Sequence, residues 1–331
     1  MYGNKNLPEK IDAIHKNGYV EKGVKVNIEH YVTESEFKNL YYVEKRTMKE
    51  IMTITNFPYN LTNFCRNIQK LGWKSNPGKQ TINVDEDFFK ELNRDSAWVY
   101  GWIVTDGSID YKLGHIKLMI HRKDKDVLLK IKEMMKFSGN VYDGEQRDGR
   151  VFSYLRICRK SMCEDLFALG MAETNKTFNT TFPKNLPEQY YWDFIRGVFE
   201  GDGSIQHRTG NTDALSVSIC GATESFIDEL QSTLLAHGVN TRKSCNKNGV
   251  FSVECRSNAD ALRMCYFMYA NTTEQTRLNR KFNVFQNYVV TYYDNIKRRS
   301  TPCIELVELA RQTIPECRGN SNTSLTQKEA V

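Results

Sequence analysis

The spacing of hydrophobic residues shows the same succession of patterns twice along this chain. Apolar and polar residues alternate in residues 115–121 and again in 215–219, and an apolar stripe at helical spacing follows each, in residues 127–135 and 226–234. A period of two predicts a strand with one buried and one open face, and the stripe predicts a helix that covers the buried face. This repeated succession of hydrophobic patterns predicts two units, each made of a helix, two strands, a helix, two strands and a helix.

Each unit opens with an apolar run that has a glycine near its middle and closes with Asp-Gly-Ser-Ile, in residues 98–109 and 194–205. A duplication of this kind fixes the architecture before any local assignment. Gly101 and Gly197 each cost a helix roughly 1 kcal/mol, and such a cost indicates that another backbone approaches closely there. We therefore predict that the two runs are helices packed face to face through these glycines.

An aspartate stands at the end of each predicted helix. The glycines that follow, Gly107 and Gly203, are expected to take the left-handed conformation of a helix C-cap. Asp106 and Asp202 would then project from adjacent helix C-termini, where the helix dipole and their mutual repulsion both disfavour a carboxylate. Such a pair is stable with a cation between its members, and oxygen ligands with water or phosphate nearby suit Mg²⁺ or Mn²⁺.

The two runs resemble the paired motifs of the LAGLIDADG homing endonucleases, with residues 99–107 and 195–203 on the nine motif positions. The resemblance covers roughly residues 85–285, because the lead into the second motif and the close of each repeat also resemble the family's. It implies an α+β fold in which two pseudo-symmetric αββαββα units form a saddle of antiparallel sheets. It further implies a monomeric, site-specific endonuclease that hydrolyses double-stranded DNA at a long recognition site, with Mg²⁺ or Mn²⁺ held by Asp106 and Asp202.

The resemblance also assigns roles to basic residues. The family places a basic residue beside each acid at the close of the repeat, and these positions are Lys176 and Lys281, with Lys160 and Arg280 as alternatives. A cation there would steady the negative charge that develops on the scissile phosphate. Lys176 and Lys281 are therefore the expected catalytic partners of the two aspartates.

Other motif positions bear on the metal site and its symmetry. Backbone carbonyls of Thr105 and Gly201 would complete the metal shell in the family's manner. The sixth motif position, however, is Val104 in the first copy and Glu200 in the second. We do not expect Glu200 to be a metal ligand, and we expect the site to be asymmetric around the two DNA strands.

The open faces of the predicted strands carry side chains that suit DNA. Guanidinium, ammonium, amide and imidazole groups can bind base edges and phosphates, and a β-ribbon fits the major groove. For any single position the alternative is a solvated strand residue, because antiparallel sheets commonly have one polar face. The set expected to bind DNA is Lys117, His121, Arg156, Gln206, Arg208 and Arg256.

The start of the chain, residues 1–84, predicts a small helical domain. One helix is expected from about residue 35, a capping box of Thr47 and Glu50 begins a second, and Asn60 caps a third. Three short helices with a polar, basic last one resemble a helix-turn-helix DNA reader; the alternative is a plain three-helix cap packed on the next domain. The residues expected on the inner face of the third helix are Leu61, Phe64, Ile68 and Leu71, and those expected to bind DNA are Asn63, Arg66 and Lys70.

Composition narrows the class of protein and its partner. The chain has 331 residues, 40% of them hydrophobic, and a net charge of +6, which fits a globular protein of two or three domains that leans toward an anionic partner. The sequence has no apolar stretch of membrane-spanning length, and nine cysteines without a Cys-x-x-Cys pair indicate reduced thiols. We expect a cytoplasmic, reducing location and no membrane partner. The expected domains are residues 1–84, 85–185 and 186–297, followed by a mostly disordered tail over 298–331.

Two other functions are open from the sequence. The first is a transcription regulator that keeps this scaffold and a helix-turn-helix but does not cleave DNA. The presence of both aspartates argues against it, because a decayed nuclease should lose them first. The second is an intron RNA splicing cofactor, which some members of the family resemble. The DNA target cannot be read from the chain, because DNA shape contributes to recognition along with the strand side chains.

Overall fold

The computed structural model describes residues 27–73, 82–172, 179–183, 185–209, 213–221, 223–292 and 300–318. The chain divides into two compact units, residues 1–81 and 82–331. Each unit has a hydrophobic core of its own.

The described residues of the first unit contain three short α-helices. They are α1 (Glu34–Lys38), α2 (Met48–Ile54) and α3 (Leu61–Lys70), and a π-helical turn over Asn39–Val43 follows α1. The helical character predicted for this part of the chain is therefore present in the described residues.

The helix starts in this unit follow the predicted caps. Thr47 N donates to Glu50 Oε2 at 2.7 Å and Glu50 N donates to Thr47 Oγ1 at 3.3 Å, so the predicted capping box of α2 is confirmed. Asn60 caps α3 as predicted, because its Oδ1 accepts from Asn63 N at 3.0 Å. Local side-chain chemistry therefore sets where these helices begin.

The apolar side of α3 is narrower than predicted. Phe64 and Ile68 are fully buried, but Leu61 and Leu71, which we expected to face inward, are 38% and 43% exposed. Trp73, beyond the helix, is buried in the same core. The core of the first unit therefore includes two residues of α3 and the ring of Trp73, which follows the helix.

The second unit begins with the first of the two repeats. Its strands pair antiparallel in the spatial order β1-β2-β4-β3. Lys117 of β2 lies opposite both Ser108 of β1 and Arg156 of β4. The elements are α4 (Arg94–Asp106), β1 (Gly107–Asp110), β2 (His115–His121), α5 (Lys125–Met134), β3 (Tyr142–Glu145), β4 (Val151–Cys158) and α6 (Lys160–Ala168).

The second repeat has the same element order and the same sheet topology. Its strands pair antiparallel in the order β5-β6-β8-β7. The predicted α+β fold with two αββαββα units is therefore confirmed. The elements are α7 (Tyr191–Asp202), β5 (Gly203–Arg208), β6 (Ala214–Gly221), α8 (Glu224–Ala236), β7 (Thr241–Cys245), β8 (Phe251–Cys255) and α9 (Asn258–Tyr269).

Alternating residues give each sheet a buried and an open face. In β2, Ile116, Leu118 and Ile120 are buried, and the residues between them are half-buried or exposed. Helix α5 adds Val127 and Leu128 to the buried side. One continuous apolar core includes residues of both repeats, so the two sheets and the two motif helices form one folded body.

Two helices follow the second repeat, α10 (Asn279–Thr291) and α11 (Thr301–Thr313). Helix α11 contradicts the expectation of a mostly disordered tail from residue 298, because its Val307 and Ala310 are fully buried in the core of the second unit. Residues 300–318 therefore belong to the fold. Among the helices of the described residues, none has the length and apolar character needed to cross a membrane.

Candidate active site and nucleic-acid surfaces

Helices α4 and α7 touch where their glycines lie. A Cβ atom added to Gly101 would lie 2.7 Å from Val198 N and 2.8 Å from Gly197 Cα, and it would also collide with Phe194 O. A Cβ atom added to Gly197 would lie 2.9 Å from Gly101 Cα and would collide with Trp98 O. These atoms belong to the backbone and cannot turn away. Contact between the two helices therefore leaves room only for hydrogen at both positions.

Each motif helix passes into a strand without a loop. Gly107 has φ −85° and ψ 158°, and Gly203 has φ −90° and ψ 165°, so both are extended. The expectation of left-handed C-caps was wrong. Glycine is needed here for space instead, because a Cβ atom on Gly107 would lie 2.8 Å from Ile103 Cα and one on Gly203 would lie 2.5 Å from Phe199 O.

The two motif aspartates end neighbouring helices. Asp106 is half-buried and Asp202 is exposed. Thr105 Oγ1 donates to Asp106 Oδ2 at 3.0 Å, and a Cβ atom added to Gly201 would lie 2.7 Å from the same oxygen. The Asp106 carboxylate therefore lies against the last turn of α7, whose final residue is Asp202. The structure brings both aspartates to the same end of the helix pair.

Lys281 lies at the end of α7, although it comes from the first turn of α10. Its Nζ donates to Phe199 O and to Gly203 O, each at 2.6 Å, and the side chain is almost fully buried. Burial lowers the pKa of Lys281 to about 8, against the opposing effect of the Glu200 and Asp202 charges. The lysine therefore fixes the backbone on both sides of Asp202.

The other basic candidates are placed differently. Lys176 lies outside the described residues. Lys160 is exposed and pairs with Glu164 on its own helix at 3.5 Å. Arg280 binds Asp124 through two hydrogen bonds of 3.0 and 2.9 Å, which join α10 to the first repeat. Of the four candidates, Lys281 is the one whose hydrogen bonds reach a motif helix in the described residues.

The side chain of Glu200 lies in the core. It is 1% exposed, and its carboxylate accepts hydrogen bonds from Trp98 Nε1 at 2.7 Å and from Leu278 N at 2.9 Å. Burial raises the pKa of Glu200 above its usual value, while Arg196 and the two hydrogen bonds oppose that shift. Both oxygens of the Glu200 carboxylate therefore accept hydrogen bonds from the protein, and its exclusion from the metal ligands stays a prediction.

The donors at the helix ends fit a hard divalent cation. Asp106 and Asp202 offer two carboxylates, and the described residues contain no group of three or more His, Cys, Asp or Glu side chains that could hold an ion. An ion between the aspartates would therefore complete its shell with backbone carbonyls, water or phosphate. All of these are oxygen ligands of the kind that Mg²⁺ and Mn²⁺ take in proteins.

The open face of the first sheet combines cations with aromatic rings. Lys117 Nζ lies 4.7 Å from the centre of the Tyr154 ring, and Tyr142 stacks on Tyr154 with ring centres 5.3 Å apart. Arg156, on the same face, is exposed. Sequence reasoning missed these rings, although alternation in β4 puts Tyr154 on the face of Arg156.

His121 ends β2 and is exposed. Its Nδ1 accepts a hydrogen bond from Lys123 N at 3.1 Å, so the ring caps the turn that follows the strand. The structure gives this predicted DNA-binding residue a local role as well.

The open face of the second sheet carries hydroxyl and amide side chains. Gln206 and Arg208 are exposed on the edge strand β5, and Ser216 lies opposite Gln206. Arg256 differs from the expectation, because it follows β8 instead of lying within it, and its Nε donates to Thr241 O at 3.1 Å. The predicted surface residues of this sheet are thus Gln206 and Arg208 on a strand, and Arg256 at a strand end.

In the first unit, the three residues predicted to bind DNA are on α3. Arg66 and Lys70 are exposed, whereas Asn63 is half-buried and its carbonyl accepts from Asn67 Nδ2 at 2.9 Å. Arg66 and Lys70 therefore present the basic groups of this helix to solvent.

Residues 189–265 match the family described as LAGLIDADG-like domain, and no curated protein matches the chain significantly. Full-length WhiA from Thermotoga maritima aligns at 13% identity over 68% of this chain and 70% of that one, with a TM-score of 0.42. The I-DmoI homing endonuclease in complex with DNA and Ca aligns at 12% identity over 55% of this chain and 91% of that one, with a TM-score of 0.40.

Proposed function

We propose that this chain, a member of the LAGLIDADG family, is a metal-dependent endonuclease that cuts double-stranded DNA at a specific site. The observation that carries the proposal is the position of the Asp106 carboxylate, which lies against the last turn of α7. Aspartates of two repeats thereby end two helices that are packed against each other. A shared divalent cation would stabilise such a pair of acids.

The two open sheet faces are the proposed DNA-binding surface. Lys117 and Arg156 on the first sheet supply positive charge, and Gln206 and Arg208 on the second supply an amide and a guanidinium. Such groups can bind phosphates and base edges in the major groove. The sheets are joined to the motif helices at Gly107 and Gly203, so a duplex held by the strands lies next to the aspartates.

The proposed chemistry is hydrolysis of a phosphodiester in each strand. When bound by Asp106 and Asp202, Mg²⁺ or Mn²⁺ would lower the pKa of water and neutralise phosphate charge. Thr105 orients the Asp106 carboxylate through its hydroxyl hydrogen bond. Lys281 holds the backbone on both sides of Asp202, which keeps the second carboxylate in place without a loop to support it.

The helical first unit favours one other function, a regulator that binds DNA without cutting it. The exposed Arg66 and Lys70 on α3 of a three-helix unit would suit such a role. This function needs the basic surfaces but not the paired aspartates. Removal of the aspartates therefore separates the two proposals.

A cleavage assay on the chain's own coding locus tests the proposal. The locus, joined across any insertion, is incubated with the full-length protein with and without Mg²⁺. We expect cutting that requires Mg²⁺ and that Asp106→Asn and Asp202→Asn abolish. The matched control is Asp87→Asn, the same change at an exposed residue before α4, and it should cut at the wild-type rate. Tight, specific binding with no cutting by the wild type would refute the nuclease and favour the regulator.

A further inference from the structure

We infer that Glu200 is a positioning residue that makes the two halves of the site unequal, so that cleavage of one DNA strand depends on it and cleavage of the other does not. The inference rests on the proposed endonuclease function. It concerns a side chain that neither binds the proposed metal nor faces the DNA.

Glu200 joins three segments of the second unit. It belongs to α7, it accepts from Trp98 Nε1 of α4 at 2.7 Å, and it accepts from Leu278 N at 2.9 Å. Both partners are donors, so each carboxylate oxygen must act as an acceptor. A glutamine has only one acceptor oxygen and would turn its NH₂ group toward one of the two donors.

The bond to Leu278 leads to Lys281 and from there to Asp202. Leu278 is the residue before α10, and its carbonyl accepts from Lys281 N at 3.1 Å. Lys281 Nζ in turn binds Phe199 O and Gly203 O, which lie on either side of Asp202. Glu200 therefore fixes the start of α10, the start of α10 fixes the lysine, and the lysine fixes the backbone of the second aspartate.

At the pseudo-symmetric positions, the hydrogen bond between Trp98 and Glu200 cannot have a counterpart. The repeat places Val104 at the position of Glu200 and Phe194 at the position of Trp98. Valine and phenylalanine side chains cannot form the corresponding hydrogen bond. The hydrogen bond between Trp98 of the first repeat and Glu200 of the second therefore has no counterpart between Phe194 and Val104.

Asp106 is held by a different contact. Thr105 Oγ1 donates to its carboxylate directly at 3.0 Å, whereas the residue before Asp202 is Gly201, which has no side chain. A side chain next to Asp106 in the sequence thus contacts its carboxylate, whereas the backbone around Asp202 is held by contacts that lead back to Glu200. A change at Glu200 should reach Asp202 first.

Strand-resolved cleavage tests the inference. A duplex with the target is labelled separately on each strand, and single-turnover rates are measured for wild type, Glu200→Gln and Lys281→Met. We expect Glu200→Gln to slow one strand by about tenfold to a hundredfold, the scale for a reacting group displaced by up to about 1 Å, with nicked DNA accumulating. Lys281→Met should slow the same strand, because it removes a later contact in the same chain.

Two further variants separate positioning from general instability. Trp98→Phe combined with Glu200→Gln removes the donor that opposes the amide, and it should restore the wild-type ratio of the two strand rates. Thr223→Val removes a part-buried hydrogen bond outside the motif helices, from Thr223 Oγ1 to Thr180 O at 2.9 Å, and it should leave the strand ratio unchanged. Thermal melting of each variant shows whether it is folded.

The outcomes distinguish the inference from the proposed function. Equal slowing of both strands by Glu200→Gln, or wild-type rates on both, would overturn the positioning role while leaving the nuclease intact. Absence of cutting by the wild type would remove the nuclease and the inference together. If Glu200→Gln does not fold, the strand ratio of Lys281→Met decides, and an unchanged ratio would be the contrary result.

Discussion

Substitution of Gly101 by alanine should move the two motif helices apart. The added methyl group would lie 2.7 Å from Val198 N and 2.8 Å from Gly197 Cα, with Phe194 O closer still. Carbon atoms in ordinary contact are about 3.5–4.0 Å apart. Because all three obstructing atoms are backbone, the contact is relieved only if α4 and α7 separate by on the order of 1 Å.

The free-energy balance of this change has two opposing parts. Alanine favours the helix over glycine by about 1 kcal/mol, which taken alone would stabilise the protein. Overpacking of a close contact costs typically about 1–3 kcal/mol, and here no side chain can rotate away. We therefore expect Gly101→Ala to lower the free energy of unfolding by up to roughly 2 kcal/mol, and Gly197→Ala, at the same contact, to act in the same direction.

Function should suffer more than stability. A displacement of about 1 Å at a reacting group can cost on the order of a hundredfold in rate, so the variant should still fold and bind DNA while it cuts far more slowly. Urea unfolding and single-turnover cleavage would measure the two effects. Ser232→Ala in α8 is the control, since it changes an exposed helix residue and should not reduce either quantity. A Gly101→Ala protein that is as stable as wild type and cuts at the same rate would refute the tight helix contact.

Three other predictions follow from the same structure. The pKa of Lys281 in the folded protein, about 8, lies below that of an unfolded lysine, about 10.4, so its buried charge costs stability in full below pH 8. The free energy of unfolding of the wild type relative to Lys281→Met should therefore rise between about pH 8 and 10; urea titrations at several pH values would show a flat difference if the lysine were solvated. Removal of residues 300–331 takes α11 out of the core and leaves the buried Arg277 without Glu316. The free energy of unfolding should therefore fall by roughly 3 kcal/mol or more, measured by thermal unfolding. An unchanged melting temperature would contradict the packing of α11. If the sheet cations neutralise several phosphates, DNA affinity should fall on the order of 10³-fold between about 50 and 200 mM salt, and a salt-independent affinity in a fluorescence anisotropy titration would count against this surface.

The sequence predicted those features that depend on local pattern. The alternation of Ile116, Leu118 and Ile120 was enough to assign the buried face of β2, because neighbouring residues of a strand point to opposite sides. Thr47 and Asn60 marked helix starts, because their side chains can accept from the first free backbone N–H groups. The duplicated motif gave the order of elements in both repeats.

Several features that depend on distant contacts were not predicted, although the approach of the two motif glycines was. A glycine after a helix can mean a left-handed turn or a lack of space, and Gly107 is explained only by its distance to Ile103. The bond between Trp98 and Glu200 joins residues of different repeats, so no local pattern reports it. The sequence does contain a pattern that indicates helix α11, since Cys303, Val307 and the apolar residues after them in this helix recur at helical spacing. The polar sequence that follows the helix obscured this pattern.

The direct passage from each motif helix into a strand has a mechanical consequence. A single peptide bond separates Asp106 from β1, and another separates Asp202 from β5, so neither carboxylate can stay still when its strand tilts. On an ill-fitting duplex, the strands would settle at a slightly wrong angle and carry the acids with them. In the proposed endonuclease, a mismatched duplex should then dissociate faster than the correct target. The fraction that stays bound should also be cleaved more slowly.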